Sequence, residues 1–202
     1  MRRPGKARVA LPWAVLASGV YIQGHPGAAR HTLVTIVTPQ TFIQGMRQLA
    51  SGVTLITTAH EGRRAGLTAT AVCSVSAEPP QLLACVNRRS ETHRVIDQSG
   101  VFAINVLASD QQRLAQIFAG ATDVYGDRRF EQAGWTELTT GAPVLSSCLA
   151  NFDCRVIESV AAATHSIFIG KVEAIALEPE LDPLVYVEGD YGLIAPLFSP
   201  AD

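Results

Sequence analysis

The sequence predicts a mainly β fold, an antiparallel barrel with short helices at its periphery. Three observations carry this reading. Six or seven segments of strand length follow one another across turn-sized gaps, most of them as hairpins. The helical segments are short and capped, and stand beside the strands. No βαβ alternation is visible, and G-x-G-x-x-G, GxxxxGK[ST] and G-x-S-x-G are all missing, so Rossmann dehydrogenases, P-loop enzymes and α/β-hydrolases lack their signatures.

In chain order, Thr38 before Pro39 caps a helix whose Phe42, Ile43, Met46, Leu49 and Ala50 recur on one face, with Gly52 as its stop. Residues 53–58 are β-rich, "HEGRR" is a polar turn, and residues 67–76 return as the second strand of a hairpin that "AEPP" ends. Residues 81–86, "QLLACV", form a continuous apolar strand opening onto the polar loop "NRRSETH". A short helix then runs to Gly100, and residues 101–107 form a strand with Phe102, Ile104 and Val106 on one face. Ser109 and Gln112 suggest a capping box for a helix carrying Leu114, Ile117 and Phe118 and stopping at Gly120. Residues 123–143 look irregular. Residues 147–158 and 166–177 are two long strands paired across "SVAAATH", the first with Cys148, Ala150, Phe152, Cys154 and Val156 on one face, and residues 184–188 are the last strand.

Composition narrows the function classes. Sixteen Lys and Arg against eighteen Asp and Glu give a net charge of −2, and only 6% of residues are aromatic, so neither a phosphate-tracking surface nor a base-stacking platform is expected and nucleic acid is not a partner. The four cysteines, Cys73, Cys85, Cys148 and Cys154, form no CxxC pair and have no histidine cluster nearby, so they read as reduced thiols of a cytoplasmic protein without a metal site. Residues 1–37 are expected to be an extension, disordered or not native to the fold, and residues 38–202 the single domain. Arg2, Arg3, Lys6 and Arg8 precede an apolar run over 9–22 that imitates a secretory signal, but this run contains Pro12 and is too short to span a bilayer, so no membrane association is expected.

The candidate site starts from "GLTATAVCSVSAEPP", where Thr68, Thr70, Ser74 and Ser76 place hydroxyls at alternating positions around Ala69, Ala71, Cys73 and Val75. Such a face meets water or lines a site that holds something flat and polar. The loop "NRRSETH" gathers Asn87, Arg88, Arg89, Ser90, Thr92 and His93, donors suited to a phosphate at a helix start or, equally, a capped helix with solvated arginines. His165 heads the apolar strand "HSIFIG", at a boundary between solvent and core.

Taken in order, "GVTLITT", "GLTATAVCSVSAEPPQLLACVNRRSETH", "SGVFAINVLASDQQRLAQIFAG", "RF", "GAPVL", "CRVIE", "HSIFIGKV" and "PLVYVEGDY" resemble the short-chain flavin reductase family over residues 42–191. The resemblance implies an FMN-binding split barrel of antiparallel Greek-key type that forms a homodimer. It implies an NAD(P)H:flavin oxidoreductase that passes hydride from NADH or NADPH to FMN or FAD and hands reduced flavin to a partner monooxygenase. Thr68, Ala69, Thr70, Ser74, Val75 and Ser76 would face the isoalloxazine and ribityl chain. Asn87, Ser90, Thr92 and His93 would lie at the flavin phosphate or adenylate end, and His165 would approach the nicotinamide nucleotide as the catalytic-site residue. The chain departs from the family pattern in reading "TATA" where "TANS" is common, in Thr164 where aspartate is frequent, and in Glu188 and Asp190 where arginine is often found. These departures bear on flavin choice and nucleotide affinity. The alternatives are a non-catalytic flavin-binding or electron-carrier protein on the same barrel, and a pyridoxamine-phosphate-oxidase-like enzyme.

Overall fold

The computed structural model describes residues 37–178 and 180–195; apart from Val37, the expected N-terminal extension lies outside the described residues. Within them the order is α1 (Pro39–Met46), β1 (Ser51–Gly52), β2 (Thr54–His60), β3 (Arg63–Ala69), β4 (Val72–Ala77), β5 (Pro80–Asn87), α2 (Glu91–Ser99), β6 (Val101–Val106), α3 (Gln112–Phe118), β7 (Trp135–Glu137), β8 (Pro143–Leu145), β9 (Ala150–Ala162), β10 (His165–Leu177), β11 (Leu184–Val187) and β12 (Asp190–Leu193), with 3-10 turns over Ser109–Gln111 and Gly126–Gln132. Among these residues no helix is long and apolar enough to cross a membrane.

Seven strands form one antiparallel sheet in the order β3-β2-β6-β9-β10-β5-β4. The mainly β, antiparallel class is as the sequence predicts. The two edge strands are consecutive in the chain, joined by Thr70 and Ala71 alone, so the sheet curls until its edges meet at one corner. No ladder joins β3 to β4 among the described residues.

Local chemistry explains the turns. Glu61 and Gly62 have φ of 49° and 78°, and Glu188 and Gly189 have 56° and 89°, two-residue hairpin turns of the hand that suits twisted strands. The turn after β2 is therefore shorter than "HEGRR", whose His60, Arg63 and Arg64 lie in strands. Thr38 caps α1 and accepts from the Thr41 N–H, as its sequence predicts, but the helix ends at Met46 instead of reaching Gly52. The expected box of Ser109 and Gln112 does not form. A 3-10 turn precedes α3, and the Gln111 side chain accepts from the Ala108 N–H at 2.9 Å.

Strand β2 feeds two cores. Leu55 packs with Leu107, Ile117, Phe118, Phe130 and Leu145 under α3, while Ile56 packs with Val86, Ile96, Phe102, Ile104 and Phe168 under α2. Gly170 is needed where β10 passes Phe102, because a Cβ there would lie 2.6 Å from the ring. Strand β9 runs four residues beyond the expected end, with bulges in its pairing to β10. Phe152 and Val156 pack against the core, so the apolar side chains left exposed on this ribbon are Ile157, Val160, Ile175 and Leu177. All four cysteines are free thiols, and burial pushes Cys148 up to about 11 and Cys154 up to about 12.

Candidate functional site

The segment read as one hydroxyl-faced strand over 67–76 is two strands. β3 pairs with β2 and β4 pairs with β5, and a register shift between Ser74 and Ser76 interrupts the alternation again. The reason is partner choice: no glycine or proline marks Thr70 and Ala71, but the chain leaves one edge of the sheet there and joins the other.

The four hydroxyls consequently do different things. Thr68 Oγ1 donates to the Ala115 carbonyl at 2.6 Å and Ser76 Oγ to the Glu78 carbonyl at 3.0 Å, so both are engaged within the fold. Thr70 and Ser74 stay exposed, as do Ala71, Cys73 and Val75. Ala69 is half-buried and packs against the second core. Beside the corner, Thr68, Ala69 and Thr70 line a cavity of about 210 Å³ with Ala119, Tyr186 and Tyr191. The two tyrosine rings meet edge-on at 5.3 Å, and burial, with Tyr186 beside it, raises the Tyr191 phenol above its ordinary value. Neither tyrosine was singled out from the sequence. "YVEGDY" holds both, and its turn Glu188 and Gly189 brings them together.

The polar loop is held by its own bonds. Asn87 Oδ1 accepts from the Arg89 N–H at 2.9 Å, Ser90 Oγ donates to the Asn87 carbonyl at 2.7 Å, and the same oxygen caps α2 by accepting from the His93 N–H at 3.1 Å. Thr92 is turned inward, only 2% exposed. His93 ties α2 to β10: its Nε2 lies 2.8 Å from Ser166 Oγ and its ring packs on Phe168 at 5.1 Å. Desolvation lowers its pKa, Asp97 opposes this and Arg88 adds to it. Thr92 and His93 therefore anchor the loop from within, with His93 also bordering a cleft outside it.

His165 stands opposite Asn87 in the pairing of β10 with β5. Thr164 Oγ1 lies 2.8 Å from His165 Nδ1, so a hydroxyl takes the place of the carboxylate common in the resembled family. The Arg88 N–H donates to the Thr164 carbonyl at 3.0 Å and binds the loop to this hairpin turn.

One face was missed. Side chains two apart on a strand share a face, so Leu83, Cys85 and Asn87 stand together on β5, and His165, Ile167 and Ile169 stand beside them on β10. All but exposed Asn87 are half-buried. "QLLACV" is a continuous apolar run, yet only its Leu82, Ala84 and Val86 face the core. The available signal was period-two counting back from Asn87 and forward from His165. The result is an apolar platform with a polar end, suited to a flat ring that carries a polar tail. The Ala71 carbonyl accepts from the Cys85 N–H at 3.0 Å, which sets the corner about two residues, roughly 7 Å, from the level of Asn87 and His165. The structure thus brings the corner, the loop and the hairpin head to one end of the sheet, and a flavin-type ligand fits their chemistry.

Comparison with known proteins agrees with this geometry. The flavin reductase like domain model matches residues 46–195. The chain is 43% identical over 150 residues to the FMN reductase (NADH) RutF 1 of Methylorubrum extorquens, 74% of each chain. The solved flavin reductase PheA2 superposes with a TM-score of 0.73 at 35% identity, covering 79% of this chain and all of that one. BorF, the flavin reductase component of a bacterial two-component tryptophan halogenase, does so with a TM-score of 0.73 at 30% identity, covering 79% and 99%. With the matched region spanning both edge strands, the corner between them, Asn87 and His165, this chain belongs to the flavin reductase like domain family.

Proposed function

We propose that the protein is an NAD(P)H:flavin oxidoreductase whose flavin lies on the platform of β5 and β10, with NADH as donor, FMN or FAD as acceptor, and a flavin-dependent monooxygenase component as recipient of the reduced flavin. The observation that carries this is the apolar face of Leu83, Cys85, Ile167 and Ile169 ending at paired Asn87 and His165, beside the corner of Thr70 and Ala71. Flavin and reduced nicotinamide, when bound, supply the hydride chemistry themselves. The chain's own residues hold and orient. The platform excludes water from one ring face, Thr70, Ser74 and the backbone of the corner offer weak adjustable hydrogen bonds, and His165 meets the second nucleotide. A surface of neutral hydroxyls without a deep clamp favours release, as a flavin delivered elsewhere requires. The proposed domain is residues 38–202, in the cytoplasm. A homodimer is supported by the bare edge of β4 and by exposed Val75, Ile157, Val160, Ile175 and Leu177, which a second copy would cover.

NADH consumption with and without each free flavin tests the activity, and flavin-independent oxidation or none would refute it. His165→Ala is expected to raise the KM for NADH roughly two- to twelvefold, the worth of about one neutral hydrogen bond, with the Kd for oxidised flavin nearly unchanged. A stable variant with unaltered nucleotide kinetics removes His165 from the site.

A further inference from the structure

We propose that Cys73 and Cys85 form an oxidation site, a thiol pair that hydrogen peroxide closes into a disulfide across the flavin platform and that a reductant reopens. The proposal rests on the flavin reductase reading and adds regulation to that same site.

Placement is the first argument. Cys73 of β4 stands opposite Leu83 of β5, and the Ala71 carbonyl accepts from the Cys85 N–H at 3.0 Å, so the two cysteines are diagonal neighbours on adjacent antiparallel strands. Residues opposite one another, or two apart on one strand, share a face, which puts Cys73 on the face of Leu83 and Cys85. Core packing agrees, because Val72 and Ala84, the pair between them, both belong to the core beneath the sheet. Diagonal positions lie about 7–8 Å apart at Cα and a disulfide spans at most about 6.8 Å, so closure asks β4 to shift by roughly 1 Å. An edge strand has that freedom: among the described residues β4 bonds to β5 alone, and its ladder slips between Ser74 and Ser76.

Exposure and chemistry are the second. Cys73 is exposed and Cys85 half-buried, whereas Cys148 and Cys154 are buried, with thiols pushed up to about 11 and about 12 that stay protonated and inert. An oxidant therefore meets the platform pair first. The activity itself supplies one: reduced flavin that finds no oxygenase gives two electrons and two protons to O2, leaving oxidised flavin and hydrogen peroxide. The Cys73 sulfur attacks the peroxide O–O bond, forming a sulfenic acid and releasing water, and the Cys85 sulfur then displaces its hydroxyl as a second water while the S–S bond forms. Two thiols and one peroxide thus give one disulfide and two waters. The new bond occupies the platform at the level of Leu83 and Cys85, so a reductase that outruns its oxygenase loses its hold on flavin until the bond is reduced. Transient redox-sensing disulfides are the kind that a reducing compartment permits.

The test treats the full chain with a small excess of hydrogen peroxide, without NADH, and blocks the remaining thiols before peptide mass spectrometry. Peptides joined through Cys73 and Cys85 of one chain are expected. FMN affinity should fall roughly tenfold or more, the effect of crowding an occupied surface, and return with dithiothreitol. Cys73→Ser should bind FMN as untreated wild type does and keep that affinity in peroxide. In Cys85→Ser no second thiol can resolve the sulfenic acid, so a diketone that traps sulfenic acids should label Cys73. Both thiols intact after peroxide, a link to Cys148 or Cys154 or between copies, a disulfide that leaves FMN affinity unchanged, no label on Cys73 in Cys85→Ser, or loss of FMN binding by Cys73→Ser in peroxide would each overturn the proposal. The two readings fail separately: a chain that forms the reversible disulfide and loses FMN affinity with it but oxidises no NADH upholds the thiol pair and refutes the activity, while steady NADH oxidation with unreactive thiols does the reverse.

Discussion

The two edges of the seven-stranded sheet come from one continuous stretch of chain and end in opposite surroundings. Strand β3 is covered. Arg64 pairs with Asp127 and lies 4.7 Å over Phe130, Arg129 donates to the Gly66 carbonyl at 2.9 Å and sits 5.3 Å over Phe118, and Thr68 bonds to α3. Strand β4, two residues later, is hydrogen-bonded on one side only among the described residues and exposes Cys73, Ser74 and Val75. An uncovered edge invites unwanted pairing, and natural sheets avoid long ones. That the chain locks one edge with its own arginines and aromatics while leaving the other bare indicates that the bare one has a use.

Substitutions can break this contrast. The largest effect is expected at Phe118, 2% exposed and in ring contact with Phe130 and Trp135, where Phe118→Ala should cost about 3–5 kcal/mol in urea unfolding. A cost near zero would mean that β3 is covered only loosely. Gly66→Ala should cost about 1–3 kcal/mol, because the new Cβ would lie 2.8 Å from Phe118 Cε1 and 3.1 Å from the Ile56 carbonyl. If the variant unfolds like wild type, the ring has room to move and the packing there is soft.

Acid should separate the two sides of the sheet. The hydrogen bond from Arg64 holds Asp127 below the usual carboxylate range, so their pair persists above the ordinary Asp value and weakens only as pH falls through the lowered one. His93 acts in the same direction but at higher pH. Desolvation lowers its pKa, so the fold favours the neutral ring, and the stability this gives is present above about 6.5 and lost as pH falls through the folded value. Melting temperature should therefore drop between pH 7.5 and 5.5 in wild type and drop less in His93→Gln. An identical drop in both would place the sensitive group elsewhere. The smallest stability effect belongs to the bare edge: Ser74→Val should leave unfolding within about 0.5 kcal/mol, while FMN affinity falls roughly two- to twelvefold. A stability loss instead of a binding loss would erase the distinction between the edges.

What the sequence by itself determined was local. Thr38 with Pro39 marks a helix start, Gly100 at φ 68° and Gly120 at φ 75° mark stops, and "HEGRR" marks a hairpin turn, because caps and turns are decided by a few neighbouring atoms; the turn at Glu188 and Gly189 and the strand after it were not legible. The polar loop and the strand head at His165 were legible for the same reason, as polar residues abutting apolar runs. What only the tertiary structure decided was which strand each backbone bonds to. Alternation of period two runs on unchanged through Thr70 and Ala71, so nothing local says that β3 and β4 lie at opposite edges; their hydrogen bonds go to β2 and to β5, and the latter in turn to β10. That long-range choice turned Thr68 and Ser76 to structural use and made a platform of the alternate residues of "QLLACV" and "HSIFI". It also set Cys73 of β4 diagonally beside Cys85 of β5, since whether two thiols share a face depends on which strands bond and in what register.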